Sequence, residues 1–117
     1  MIFSIFSLEL IFPEDRSLWT DYNNYDATDD QGHGTACAGI AAAKGNNSSG
    51  IAGVCWDCLI MPVKVLDSGG YGDDTGISNG IEWAASNNAD VISMSLGGGG
   101  YVSYTDSAIN FSILFVN

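Results

Sequence analysis

Leu59-Ile60-Met61-Pro62-Val63-Lys64-Val65-Leu66 is a largely apolar, β-rich run, and its reading decides the fold. It is expected to be a strand, with Pro62 near its start, because proline cannot donate a hydrogen bond to a central ladder. The glycine-rich connection Asp67-Ser68-Gly69-Gly70-Tyr71-Gly72-Asp73-Asp74 follows. Asp73, Asp74 or Thr75 can then cap a helix whose apolar members Ile77, Ile81, Ala84 and Ala85 recur every three or four residues. Asn87-Asn88 ends that helix, and Ala89-Asp90-Val91-Ile92-Ser93-Met94-Ser95-Leu96 returns as a second strand. Strand, helix and strand in this order predict a βαβ unit with parallel strands and a right-handed crossover. Further on, Gly97 to Gly100 open a loop, and Tyr104 to Phe115 reads as a helix turning into a strand.

Upstream of the unit lies Asp30-Gln31-Gly32-His33-Gly34-Thr35, which holds the one histidine of the chain. The alanine-rich run Ala36-Cys37-Ala38-Gly39-Ile40-Ala41-Ala42-Ala43 behind it predicts a packed helix whose first turn presents His33. Taken alone, a single histidine between glycines reads more readily as a structural or surface residue than as a catalytic one. Asp15 to Asp30, dense in Asp, Asn and Tyr without a period, is expected to be an exposed loop leading into that helix. Lys44-Gly45-Asn46-Asn47-Ser48-Ser49-Gly50 breaks the periodicity and turns the chain.

Composition narrows the partners. Three basic residues against fourteen acidic ones give a formal net charge of −11, which opposes nucleic acid and anionic membrane surfaces by repulsion. Arg16, Lys44 and Lys64 form no cluster able to track a phosphate backbone. A chain of 117 residues supports one modest core, hiding roughly two thirds of its unfolded surface. The apolar start Met1 to Leu8 lacks a preceding basic residue, meets Glu9 at once, and is too short to span a bilayer. A buried strand, a targeting remnant and a misplaced start all stay open for it. Cys55 and Cys58, in Val54-Cys55-Trp56-Asp57-Cys58, have a spacing that serves two unlinked packing thiols, a disulfide, a metal or a redox pair. Under oxidising conditions they are the pair expected to bond, leaving Cys37 as a small buried hydrophobe.

The stretch Gly32-His33-Gly34-Thr35-Ala36-Cys37-Ala38-Gly39-Ile40 resembles the histidine motif of subtilisin-like serine proteases. About sixty residues later, Ile92-Ser93-Met94-Ser95-Leu96-Gly97-Gly98 resembles that family's substrate-binding strand. Between them, Asn46 to Val54 is similar to an Asn-rich loop that wraps calcium in many members, Val63 to Leu66 to a preceding strand, and Gly76 to Ala84 to the helix after it. The resemblance covers roughly residues 20 to 110 and keeps the family's order. It implies an α/β class, namely a partial subtilisin-like three-layer fold with a mostly parallel sheet and right-handed βαβ crossovers. Residues 1–19 are then an atypical N-terminal segment, and residues 20–117 part of a peptidase S8 catalytic domain.

The same resemblance assigns roles. His33 is the implied general base, a task suited to an imidazole whose ordinary pKa lies near neutrality. Gly70, Tyr71 and Gly72, with Ser95, Leu96 and Gly97, match the two segments between which an extended polypeptide lies as an added strand, held mostly by backbone groups. Asn47 could offer a side-chain oxygen to a structural Ca2+, and Gly45, Ser49 and Ile51 their carbonyls. No other cofactor is implied for the chemistry. Ala36 stands where a second, non-triad histidine is common, and Cys55-Trp56 where Ala-Pro is usual.

Two parts of the catalytic set have no matching motif in the 117 residues. No Gly-Thr-Ser-Met-like nucleophile motif occurs, and Ser93 and Ser95 read as strand residues. No Asp-Thr-Gly or Asp-Ser-Gly motif precedes His33, while Asp67-Ser68-Gly69 follows it and is taken as a coincidence. Asp15, Asp21 and Asp26 are unmatched candidates, and Asp29 and Asp30 are read as loop or capping groups. The expectation is a serine endopeptidase by family, secreted as the family implies, with these residues inactive alone, marginally folded and prone to self-association. The alternative is a non-catalytic peptide-binding or structural fragment of the same fold.

Overall fold

The computed structural model describes residues 2–6, 20–21, 27–98 and 100–114. In chain order the elements are β1 (Ile2–Phe6), β2 (Thr20–Asp21), α1 (His33–Ala42), β3 (Leu59–Lys64), α2 (Asp74–Ser86), β4 (Val91–Ser93) and α3 (Ser103–Ser112). Beyond the backbone of β1, the alternatives for residues 1–19 lie outside the described residues. So do Asp15, Asp26 and the strand expected at Phe115.

The expected three-layer fold with a mostly parallel sheet and right-handed βαβ crossovers is corrected. Helix outweighs strand: α1, α2 and α3 run 10, 13 and 10 residues, against six for β3 and three for β4. The two strands of the anticipated βαβ unit do not pair with each other. The parallel ladder has the order β2-β3-β1-β4, with Phe3 opposite both Ile60 and Val91 and Thr20 opposite Val63. The physical reason is that β1 lies between them, pairing over five positions with β3 and over three with the short β4.

The core is built on the two-residue period of β3. Met61 and Val63 are buried with Ile81 and Ala84 of α2, Ala89 and Ala108 of α3, while Ile60 packs with Ala38, Cys37 and Ala41 of α1. Met61 and Ile81 are fully buried, each contributing roughly 1.5–3 kcal/mol. Helix α2 starts as expected, with the Asp73 carboxylate accepting the Gly76 N–H at 2.8 Å. It ends at Asn87, followed by Asn88 at φ 65°. A hydroxyl contact of 3.3 Å between Ser78 and Thr105 joins α2 to α3.

The C-terminus of α1 is tied down by the chain that follows it. The N–H groups of Gly53, Val54 and Cys55 donate to the carbonyls of Ala43, Ile40 and Ala41 at 2.8–3.0 Å, satisfying acceptors that a helix end leaves open. Only glycine fits at position 53, because a Cβ there would collide with the backbone of Ala42 and Ala43. Cys55 and Cys58 are joined as a disulfide, their Cα atoms 5.5 Å apart. With its far end anchored, α1 holds His33 in a fixed place at its near end.

Candidate functional site

One aspartate shapes the turn that carries the histidine. Asp29 is 7% exposed. Its Oδ1 accepts the N–H groups of Gln31 and Gly32 at 3.0 and 2.7 Å, and its Oδ2 accepts the Thr35 N–H and hydroxyl at 2.9 and 2.7 Å. The Gln31 side-chain oxygen takes the His33 N–H at 2.9 Å. Free donors at the start of α1 are thus satisfied from outside the helix. Gly32, at φ 91°, supplies the left-handed turn between them. Burial raises the Asp29 carboxyl, but the Thr35 hydroxyl and the N–H groups of Gly32, Thr35 and Gln31 outweigh it and bring the pKa down to about 2. Next to it, Asp30 accepts from Lys64 at 2.6 Å, linking this turn to the end of β3.

His33 is exposed, and its Nε2 lies 2.8 Å from the Ser95 carbonyl oxygen. A carbonyl only accepts, so this contact requires the proton on Nε2. A general base needs the other tautomer, with Nδ1 protonated and Nε2 free, which is what an aspartate opposite Nδ1 enforces in a catalytic triad. The Cys37 Sγ, one helical turn on, is 3.8 Å from the same Nε2. Cys37 is therefore half-buried against the imidazole and is not the fully buried hydrophobe expected from sequence.

His33 opens onto a cleft of about 940 Å³. One wall is Gly70, Tyr71 and Gly72, the other Ser95, Leu96 and Gly97, so the sequence-assigned segments come together beside the histidine. Asp67, set aside as a coincidence in sequence, organises the first wall: its Oδ1 accepts the N–H groups of Gly69 and Tyr71, each at 2.9 Å. Its own N–H donates to the Tyr71 carbonyl at 2.8 Å. Val102, Thr105 and Ile109 also line the cleft and were missed, although their spacing of three and four residues marks one face of a helix.

The loop around Asn47 stands apart from the cleft. Asn47 Oδ1 accepts the Ser49 N–H at 3.1 Å, leaving one lone pair, and Asn46, Ser48 and Gly50 have φ of 55–59°. Gly45 packs beneath Trp56, where a Cβ would meet the ring. All the loop donors are neutral oxygens, a set suited to weak calcium binding. Among the described residues no group of three or more His, Cys, Asp or Glu side chains is placed to hold a metal.

A profile of the Subtilase family (Peptidase S8) matches residues 13–116. Thermitase from Thermoactinomyces vulgaris is 48% identical over 94 residues, which cover 79% of this chain and 34% of thermitase. Subtilisin from Bacillus pumilus is 57% identical over 70 residues, covering 60% and 25%. The solved structure of sphericase aligns with a TM-score of 0.70 at 38% identity, over 76% of this chain and 31% of its own. The chain thus spans between 25% and 34% of the length of these proteins.

Proposed function

Because the chain belongs to the subtilase family, we propose that residues 20–117 supply the general base and the substrate groove of a serine endopeptidase. His33 takes the proton from a serine hydroxyl as it attacks the peptide carbonyl, then returns it to the leaving amine, and the acyl-enzyme is hydrolysed by the same exchange. The substrate is an extended polypeptide lying between Gly70-Tyr71-Gly72 and Ser95-Leu96-Gly97. Backbone groups there pair with it as with an added strand. One observation carries the reading: the exposed imidazole and both segments line a single cleft.

Substrate entry displaces the His33 contact with Ser95, and transfer of the ring proton from Nε2 to Nδ1 then leaves Nε2 free to accept the serine's proton. The motif for the serine is not among the 117 residues and no matching aspartate motif precedes His33, so these residues by themselves are expected to be inactive. Secretion and self-association of these residues, the latter through exposed Tyr104, Ile113 and Leu114, belong to the same proposal. Among the described residues no helix is long and apolar enough to cross a membrane. A structural calcium at Asn47, with the carbonyls of Gly45, Ser49 and Ile51, is proposed as a brace for the end of α1. Millimolar calcium is then expected to raise Tm, and an unchanged Tm counts against it.

The test is kinetic. In a protein carrying this chain together with a serine nucleophile, His33→Ala should lower kcat by roughly 10⁴–10⁶-fold with KM little changed. The 117 residues alone should give neither turnover nor fluorophosphonate labelling. Full activity in the His33→Ala protein would remove the proposed base.

A further inference from the structure

The cleft has a feature that a backbone-held groove does not require. Its apolar surface comes from Leu66, Ile77, Leu96 and Ile109, while two carboxylates, Asp74 of α2 and Asp106 of α3, stand on its lining. Among the described residues no lysine or arginine lines it. The helix pair sets where these carboxylates stand. Asp74 lies one turn before Ser78 and on the same face, Asp106 directly follows Thr105, and the Ser78–Thr105 hydroxyl contact fastens the helices at that level. The Tyr101 hydroxyl donates to Asp106 Oδ2 at 3.1 Å, and this bond and the carboxylate's charge raise the tyrosine's pKa. Asn110 contacts the same oxygen at 3.4 Å, leaving Oδ1 for another donor.

Resting on the peptide-groove reading, we propose that this cleft selects a lysine or arginine side chain of the bound polypeptide, with Asp74 and Asp106 as the specificity-determining residues. The aliphatic stem of such a side chain covers the Ile77, Leu96 and Ile109 surface, and its cationic head reaches the two carboxylates. The exposed Tyr101 ring adds a face for the cation. A carboxylate side chain in the same place meets two like charges on a protein of net charge −11.

The experiment measures binding and so does not depend on a nucleophile. Fluorescence anisotropy is recorded for the 117-residue chain with a labelled hexapeptide in which lysine, norleucine or glutamate is walked through each position. At one position lysine should bind roughly threefold to thirtyfold tighter than norleucine, the range for two solvent-exposed ion pairs, with glutamate weakest. Salt at about 0.5 M should erase the difference. So should the double variant D74N/D106N, with circular dichroism verifying its fold. Neutral peptides binding without any preference for lysine would overturn the proposal and leave the groove intact. A preference that persists in D74N/D106N would also overturn it. If no peptide binds, norleucine versions included, the groove reading falls and this proposal with it.

Discussion

Two aspartates organise the two sides of the site, and they do so in different surroundings. Asp29 is buried and gathers four donors around the start of α1, so the turn bearing His33 is fixed by a charged side chain with little access to water. Asp67 is exposed and folds the Gly69–Tyr71 wall through two backbone N–H groups that water could also serve. Hydrogen bonds to a buried charge are costly to lose, whereas exposed ones exchange with solvent at small net cost. The histidine side is therefore preorganised, and the Gly69–Tyr71 side is left adaptable. This division suits the proposed groove, whose wall can adjust to a peptide backbone next to a group that must stay in one place.

The sharpest way to break the comparison is Asp29→Ala. It removes the acceptor of four hydrogen bonds at the start of α1, and urea unfolding should show a loss of about 2 kcal/mol. Asp67→Ala should cost under about 1 kcal/mol in the same assay while weakening peptide binding. Equal losses from the two substitutions would dissolve the distinction.

Acid provides a milder probe of the same carboxylate. The folded pKa of Asp29 is depressed from 3.8 to about 2, so its stabilisation is complete above pH 3.8 and is lost as pH falls through about 2. Stability should decline by on the order of 2 kcal/mol across that window. In Asp29→Asn the decline should be correspondingly shallower, and an unaltered acid profile would deny Asp29 its role. The smallest effect is expected at Lys64→Met. Its pair with half-exposed Asp30 should be worth at most about 1 kcal/mol, read as a small drop in urea midpoint that vanishes in high salt.

Much of this was legible in the sequence, for reasons that differ between elements. The Asp73 cap, the apolar period of α2 and the meeting of residues 70–72 with 95–97 are local or motif-borne signals, and the structure places all of these residues accordingly. Strand pairing is non-local. The partner of β3 and β4 is β1, at the far end of the chain, and neither periodicity nor turn residues reveal that register. Asp67 reads as a coincidence because its Asp-Ser-Gly context follows the histidine, and its loop-folding hydrogen bonds to Gly69 and Tyr71 leave no motif of their own. The Cys37 contact with His33 follows from their four-residue separation on one helix, a relation hidden by reading each residue for its type.

The central claim is that an extended peptide lies between the two cleft walls next to His33. Backbone amide shifts of the 15N-labelled chain, titrated with an unlabelled hexapeptide, test it most directly. Gly70, Tyr71, Gly72, Ser95, Leu96 and Gly97 should move together with the His33 ring resonances, while the amide of Thr35, held by Asp29, stays in place. Shifts confined to the exposed Ile113 and Leu114 end of α3, or an unchanged His33 ring at peptide saturation, would contradict the account.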